Sequence, residues 1–221
     1  MTAPGHREYS INVHVFIASG IWHKPPNLAT VYVILRGAGG GGGVSSTSGG
    51  GGGGAAVITE RLHESQVDDT VAVTVGASSA GEDGGDSTFG DITAQGGKAG
   101  GSSGRAMGGV SPWRGGMGAE AGNNDGESVS NLPVGALSGG GGGASGSGHG
   151  GLSGPNLLVD GTTSGTADLL WPEWLQSGNG GSLHQGQGNT YPAGGGGSQQ
   201  AGAAGMVTVM ETLVHEIPGG P

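Results

Sequence analysis

The sequence predicts an all-β protein in which β-sandwich-like strands are combined with packed polyglycine-II-like segments, with little or no helix. The alternating residues 31–35 run straight into Arg36 and a glycine run that extends to Gly43. Near the C-terminus the order is reversed, and a glycine run from Gly194 leads into the apolar residues 206–210. Since these strands and polyglycine join with no turn between them, we interpret the glycine runs as part of the fold.

The amino-acid composition constrains this prediction. The chain has 57 glycines in 221 residues, a proportion that is typical of disorder when no strict period is present. Segments in which apolar residues alternate occur between the glycine runs along the whole chain, however, and they indicate an ordered protein. Aromatic residues make up only 4% of the chain, so the apolar core must be thin. We therefore expect backbone hydrogen bonds between close-packed extended chains to hold the fold, since only glycine permits such packing, as in collagen.

The net charge and the absence of cysteine argue against several classes of function and binding site. The net charge is -10 with no basic patch, so binding to nucleic acid is not expected. Cysteine is absent, which excludes disulfides and thiolate metal sites. No apolar run reaches the roughly 18 residues of a membrane helix, and the N-terminus lacks the pattern of a signal peptide. We expect a soluble protein that does not insert into a membrane and is not exported by a signal of its own.

The first strands follow from a period of two. Apolar residues alternate at Ile11, Val13, Val15 and Ile17, which predicts a strand with His14 on the solvent side. The next aromatic residue, Trp22, precedes a Pro-Pro stop and is expected in the core. Residues 31–35 are apolar on both faces and should form a central strand.

Further strands are predicted after the second glycine run. Residues 55–62 read as one strand. Val71, Val73 and Val75 define one face of another strand, which ends at Gly76. Residues 84–90 form a tight loop into a short strand that ends at Ala94, and residues 206–210 form the last strand.

Several motifs occur in a fixed order along this framework. They are Phe16-x-x-Ser19-Gly20-x-Trp22-x-Lys24-Pro25, Val31-x-Val33 into polyglycine, Val73-Thr74-Val75-Gly76-Ala77, Ser87-Thr88-Phe89-Gly90, Ala94-Gln95-Gly96-Gly97, Tyr191-Pro192-Ala193-Gly194 and Gly205-Met206-Val207-Thr208-Val209. Each motif is weak alone, but their order resembles the glycine-rich domain of bacteriophage tail fibre and minor tail proteins. The resemblance runs from about Phe16 to about Val209.

The resemblance implies a non-enzymatic virion structural protein, a minor tail, tail-tip or tail-fibre component of a tailed bacteriophage that takes part in host-surface attachment. It would reside in the virion tail after assembly in the host cytoplasm. The implied partners are other tail subunits and a host cell-surface glycan or protein. We also expect a homo-oligomer, with a trimer favoured. The alternatives are a purely structural tail spacer or decoration protein and, less favoured, a polyglycine-type ice-binding protein.

No charged or Pro/Ser-rich linker divides the chain, so we predict one glycine-rich β domain over residues 16–210. It contains a longer insertion region at about 104–175. Residues 1–15 form an N-terminal arm for attachment or strand exchange, and residues 211–221 form a C-terminal tail.

Candidate contact residues lie in the central region, which the resemblance covers least well. Tryptophan and arginine suit contact with glycans or proteins, and Asn-Asn-Asp-Gly is a loop-tip signal. For the two later tryptophans, packing in the core is the alternative. The candidates are Trp113, Arg114, Asn123, Asn124, Asp125, Trp171 and Trp174.

Motifs of catalysis or metal binding are not convincing. Residues 100–104 satisfy G-x-S-x-G and residues 146–151 satisfy G-x-G-x-x-G, but neither has the required strand and helix around it. The acidic residues 82–86 lack the spacing of a known calcium loop and read as a solvated turn. His149 reads as a loop histidine. We therefore predict no catalytic residue, no cofactor and no metal site.

Overall fold

The computed structural model describes residues 6–122, 124–129, 138–144, 148–153, 177–182 and 191–217. Within these residues the protein is all-β, as predicted, and its helical content is one 3-10 turn at Glu64–Gln66. The strands are β1 His6–Phe16, β2 Gly20–His23, β3 Leu28–Arg36, β4 Ala56–Ile58, β5 Leu62–His63, β6 Thr70–Thr74, β7 Ser87–Phe89, β8 Ile92–Ala94 and β9 Met206–Ile217.

The larger sheet is antiparallel and has the order β1-β9-β3-β4, with β5 also pairing with β3. The predicted central strand is confirmed, because β3 lies between β9 and β4 and is buried on both faces. β1 forms the edge and pairs with β9 from His6 opposite Ile217 to Phe16 opposite Val207. β9 thus continues beyond residue 210, where the sequence analysis placed a boundary.

The smaller sheet has the order β2-β6-β7-β8 and packs on the larger one. Trp22 fills the space between the sheets, as predicted, with 2% of its surface exposed. Its ring lies 5.5 Å from that of Phe89, measured between centroids. The rest of this core is aliphatic and comes mainly from Leu28, Val31, Val33, Leu35, Val71, Val73, Val207, Val209 and Leu213.

The strand predicted over residues 55–62 is interrupted. Thr59 is the cause, because its hydroxyl accepts a hydrogen bond from the Val33 amide (2.9 Å) while its own amide donates to the Val33 carbonyl (2.9 Å). A side chain thus replaces a backbone acceptor, and the regular ladder ends. Pairing resumes at β5, where Leu62 lies opposite Val31.

The glycine segments pack with a period of three. In residues 37–43, the amides of Gly37, Gly40 and Gly43 donate to carbonyls of residues 49–55 at 2.8 to 3.0 Å. The amides one residue later, those of Ala38 and Gly41, donate to residues 82–85. The amides of Gly39 and Gly42 donate to residues 200–203. This rotation among neighbours is what a helix with three residues per turn and no internal hydrogen bonds produces.

Two segments lie inside the resulting assembly, which we call the glycine bundle. Residues 49–55 donate to three neighbouring segments and accept hydrogen bonds from three others. Residues 138–144 are enclosed in the same way, and the two segments bond to each other through the Gly142 amide and the Gly51 carbonyl (2.7 Å). The predicted packing of polyglycine-II-like segments against the strands is therefore confirmed.

Close approach, and not an unusual dihedral angle, is why these positions are glycine. A Cβ atom on Gly51 or Gly142 would come within 3.0 Å of a neighbouring carbonyl, a separation that real Cβ atoms essentially never show. Among the described glycines, positive φ occurs only at Gly81, Gly90, Gly104 and Gly122, all in turns or loops. The bundle glycines are needed because the space beside them is filled by backbone.

Candidate functional site

The glycine bundle has two ends with different surroundings. At one, the sandwich end, segments join the sheets directly, as where Arg36 precedes Gly37 and Gly205 precedes Met206. At the other, the distal end, segments are joined by short loops. These distal loops include residues 44–48, 79–81, 101–104, 120–122 and 198–200. They are the surface that the bundle presents farthest from the strands.

The predicted contact residues divide between these ends. Trp113 and Arg114 lie at the sandwich end, because the Trp113 backbone exchanges hydrogen bonds with Ala56 of β4 (2.8 and 3.1 Å). Asn124 lies at the distal end, where its carbonyl accepts from the amide of Ala144. Asn123, Trp171 and Trp174 fall outside the described residues. The structure therefore does not bring the described candidates together in one site.

The ring of Trp113 packs on the outer face of the larger sheet. It is half-buried against a small cluster formed by Ile34 and Ala56, with Tyr32 and Ile58 beside it. Part of its surface remains available for contact. Its main contribution in the described structure is to cover Ile34.

Arg114 forms a bidentate ion pair with Glu127, with nitrogen–oxygen distances of 2.9 and 2.6 Å. Glu127 also accepts the amide of Met117 at 2.8 Å, so the pair links neighbouring bundle segments. The hydrogen bond from Arg114 lowers the pKa of the Glu127 carboxyl below its usual range and raises the pKa of Arg114. Arg114 is thus engaged within the chain.

At the distal end, Asp125 also has internal partners. Its carboxylate accepts the amide of His149 at 2.7 Å, and its carbonyl accepts the guanidinium of Arg105 at 2.9 Å. Asn124 is exposed, and its side-chain amide makes a long hydrogen bond to the Ala121 carbonyl (3.3 Å). Of the described distal candidates, Asn124 has the side chain most available to a partner.

The acidic residues 82–86 brace the bundle. Asp83 pairs with Lys98 at 2.7 Å and accepts the amide of Ala99 at 2.8 Å, while Asp86 accepts the amide of Gly96 at 2.9 Å. The hydrogen bond from Lys98 lowers the pKa of Asp83. No group of three or more His, Cys, Asp or Glu side chains suited to a metal ion occurs among the described residues.

Sequence reasoning missed a buried carboxylate on β9. Glu211 is 3% exposed and accepts a hydrogen bond from the Trp22 indole at 2.6 Å. The Nε2 atom of His14, from β1, lies 3.1 Å from the same oxygen. A signal was available, because the alternation of Val207, Val209 and Leu213 places residue 211 on the inward face.

The outer face of the larger sheet has an apolar groove. It encloses about 420 Å³, and its lining includes Ile11, Tyr32 and Met210, with Arg61 beside them. Partial burial raises the pKa of the Tyr32 phenol. Among the described residues, no helix combines the length and apolar character needed to cross a membrane.

The comparisons with known proteins agree with the glycine framework. The family described as "Glycine-rich domain" matches residues 17–212. This range contains both sheets of the sandwich except β1 and the end of β9, and it includes the bundle. No curated protein matches the sequence.

Proposed function

The chain belongs to the family of glycine-rich domains, and from that premise we propose that it is a non-enzymatic structural protein of a tailed bacteriophage. In this proposal it is a minor tail, tail-tip or tail-fibre component that takes part in attachment to the host surface. Its partners are other tail subunits and a cell-surface glycan or protein. The phage role is supported by the ordered motifs that resemble tail proteins, and its site of action is the virion tail.

The observation that carries the attachment role is the enclosure of residues 49–55 and 138–144 by other bundle segments. Such segments are fixed by hydrogen bonds between backbone groups, which do not require particular side chains in the loops. The distal loops can therefore vary while the platform beneath them stays the same. A receptor-binding module needs this division between a constant scaffold and variable contacts.

The molecule also has two different ends, and this directionality suits the role. β1 and β9 run away from the bundle, because Phe16 and Val207 lie beside it and His6 and Ile217 lie at the other end of the pair. At about 3.3 Å per residue, β1 extends roughly 33 Å from one end to the other. We assign attachment to tail neighbours to this far part of the sandwich, and contact with the host to the distal loops.

Localisation in purified particles tests the tail assignment. Mass spectrometry of the virions, followed by electron microscopy of particles bound by an antibody to the recombinant chain, should place the label on the tail. Particles that assemble and infect normally without containing the chain would rule the proposal out.

Adsorption of particles carrying substitutions tests which end contacts the host. Asn124→Ala, made together with Asn123→Ala, should reduce adsorption at least about tenfold, while the exposed control Glu60→Ala should leave it unchanged. Trp113→Ala examines the sandwich end separately, with thermal unfolding measured because this ring also packs on Ile34. Full adsorption by all of these particles would exclude Asn123, Asn124 and Trp113 as host contacts.

The alternative of a structural spacer or decoration protein is favoured by one observation. The charged side chains of Arg114 and Asp125 both bond to partners within the chain, as expected of groups that stabilise the fold. In that case particles with altered distal loops adsorb normally but have shortened or unstable tails. Electron microscopy of such particles separates the two functions.

A further inference from the structure

β1 is a long open edge of the larger sheet. It pairs with β9 along its whole length with no bulge, and the described residues place no strand on its other side. Proteins usually protect such an edge with proline, lysine or a bulge. The segment His6–Phe16 contains neither proline nor lysine, and its charged residues Arg7 and Glu8 are confined to the N-terminal end. Its free side is therefore a template for another strand.

The hydrogen bonds of the sheet determine which residues of β1 face outward. The Val33 amide and carbonyl both bond to Thr59, so Val33 faces β4 and the adjacent residue Tyr32 faces β9. Because Tyr32 lies opposite Met210, the odd-numbered residues of β9 face β1. Their partners in β1 are even-numbered. The residues whose backbone groups face outward are therefore Arg7, Tyr9, Ile11, Val13 and Val15.

We propose that two copies of this chain pair through β1, antiparallel and about a two-fold axis at Ile11. In this register Ile11 lies opposite Ile11 of the second copy, Tyr9 opposite Val13 and Arg7 opposite Val15. Every outward-facing residue is then paired, with about ten backbone hydrogen bonds in total, two for each opposed pair. The strands overlap completely, and the larger sheets of the two copies become one.

Side chains on both faces fit this register. On the outer face, Tyr9, Ile11, Val13 and Val15 are exposed apolar side chains that would form one continuous stripe across the axis. On the inner face, Glu8 lies opposite His14 of the second copy. Antiparallel registers slipped by two residues place Glu8 opposite Asn12 or Phe16 and leave the strand ends unpaired. The edge is thus complementary to itself, and a second copy is the occupant that it fits.

This proposal gives a two-fold dimer, in place of the trimer favoured by sequence analysis, and does not depend on the phage role. Because the paired strands are antiparallel, the bundles of the two copies lie at opposite ends of the joined sheet, so in a dimer aligned along a tail only one copy directs its distal loops to the host. Analytical ultracentrifugation of the full chain should show a monomer–dimer equilibrium. Ile11→Lys places like charges directly opposite each other and should weaken dimerisation at least roughly tenfold. The matched control Ile21→Lys, at a residue 60% exposed against 65% for Ile11, should not. A monomer at all concentrations, a trimer, or a dimer unaffected by Ile11→Lys would overturn it.

The register can be read directly because the chain has no cysteine. Ile11→Cys should form a disulfide-linked dimer on mild oxidation, since opposed Cα atoms lie about 5.5 Å apart, within disulfide reach. Tyr9→Cys alone should not, because its two copies are offset by about 13 Å along the strands. Tyr9→Cys mixed with Val13→Cys should link again. Linking of Tyr9→Cys as fast as Ile11→Cys would contradict the register.

Discussion

The indole of Trp22 donates a 2.6 Å hydrogen bond to the carboxylate of Glu211 in the interior of the protein. Trp22 belongs to β2 of the smaller sheet and Glu211 to β9 of the larger one, so the bond joins the two layers. His14 approaches the same carboxylate from β1. A single buried acid therefore ties together three strands.

Removing this acid should destabilise the sandwich. Glu211→Ala leaves the buried indole without its acceptor, which costs about 1–3 kcal/mol. Glu211→Gln keeps an acceptor oxygen and should cost less. Urea unfolding followed by tryptophan fluorescence measures both variants. Glu216→Ala is the control, because its pairing with Arg7 is exposed on the same strand. Equal losses for Glu211→Ala and Glu216→Ala would contradict the role of the buried bond.

A single methyl group inside the bundle should be costly. Gly142→Ala places a Cβ against the Gly196 carbonyl, which is backbone and cannot rotate away. We expect a loss of at least about 3 kcal/mol in the free energy of unfolding, at the upper end for overpacking. Gly101→Ala is the matched control, since its Cβ would meet nothing closer than 3.8 Å. That variant should stay within about 0.5 kcal/mol of the parent or gain slightly. Similar thermal unfolding of the two variants would refute this packing.

The Arg114–Glu127 pair should make stability depend on pH at the acid end. Because the folded state lowers the pKa of Glu127, the pair stabilises the fold above the ordinary glutamate pKa of about 4.3. That stability is lost as the pH falls through the lowered value. Arg114→Met should therefore cost about 1 kcal/mol at pH 7, discounted for partial exposure, and progressively less as the pH falls below 4.

The comparison requires a control arginine. Arg61 forms no ion pair with any other described residue, and Arg61→Met should track the parent protein across the pH range. Unfolding free energies at pH 3 to 7 measure the three proteins. A deficit of Arg114→Met that stays constant over this range would show that the pair does not act through the Glu127 carboxylate.

Sequence patterns predicted most of the fold that depends on local alternation or on glycine itself. In β1 the alternation identified the strand but assigned the wrong face, because His14 lies opposite the buried Val209 while Ile11 is 65% exposed. Residues 31–35 are apolar on both faces, and this identified the central strand. The glycine runs indicated close chain packing because no other residue leaves room for it. Trp22 was placed in the core for its size. These predictions required no knowledge of which segments are neighbours.

Features that depend on a distant partner were not predicted. No sequence pattern within residues 211–217 indicates that β1 pairs with them, although Leu213 continues the alternation of inward-facing residues. Thr59 interrupts a strand by bonding to Val33, 26 positions away in the chain. Trp113 and Asn124 were grouped by their position in sequence, yet the bundle segment between them carries them to opposite ends.

Amide hydrogen exchange at Gly51 and Gly142 tests the central claim most directly, because these amides bond to backbone carbonyls inside the bundle at 2.8 and 2.7 Å. If hydrogen-bonded polyglycine takes the place of an apolar core, both amides should exchange only through global unfolding, as slowly as those of β3. Exchange as fast as in the distal loop at residues 101–104 would contradict the account.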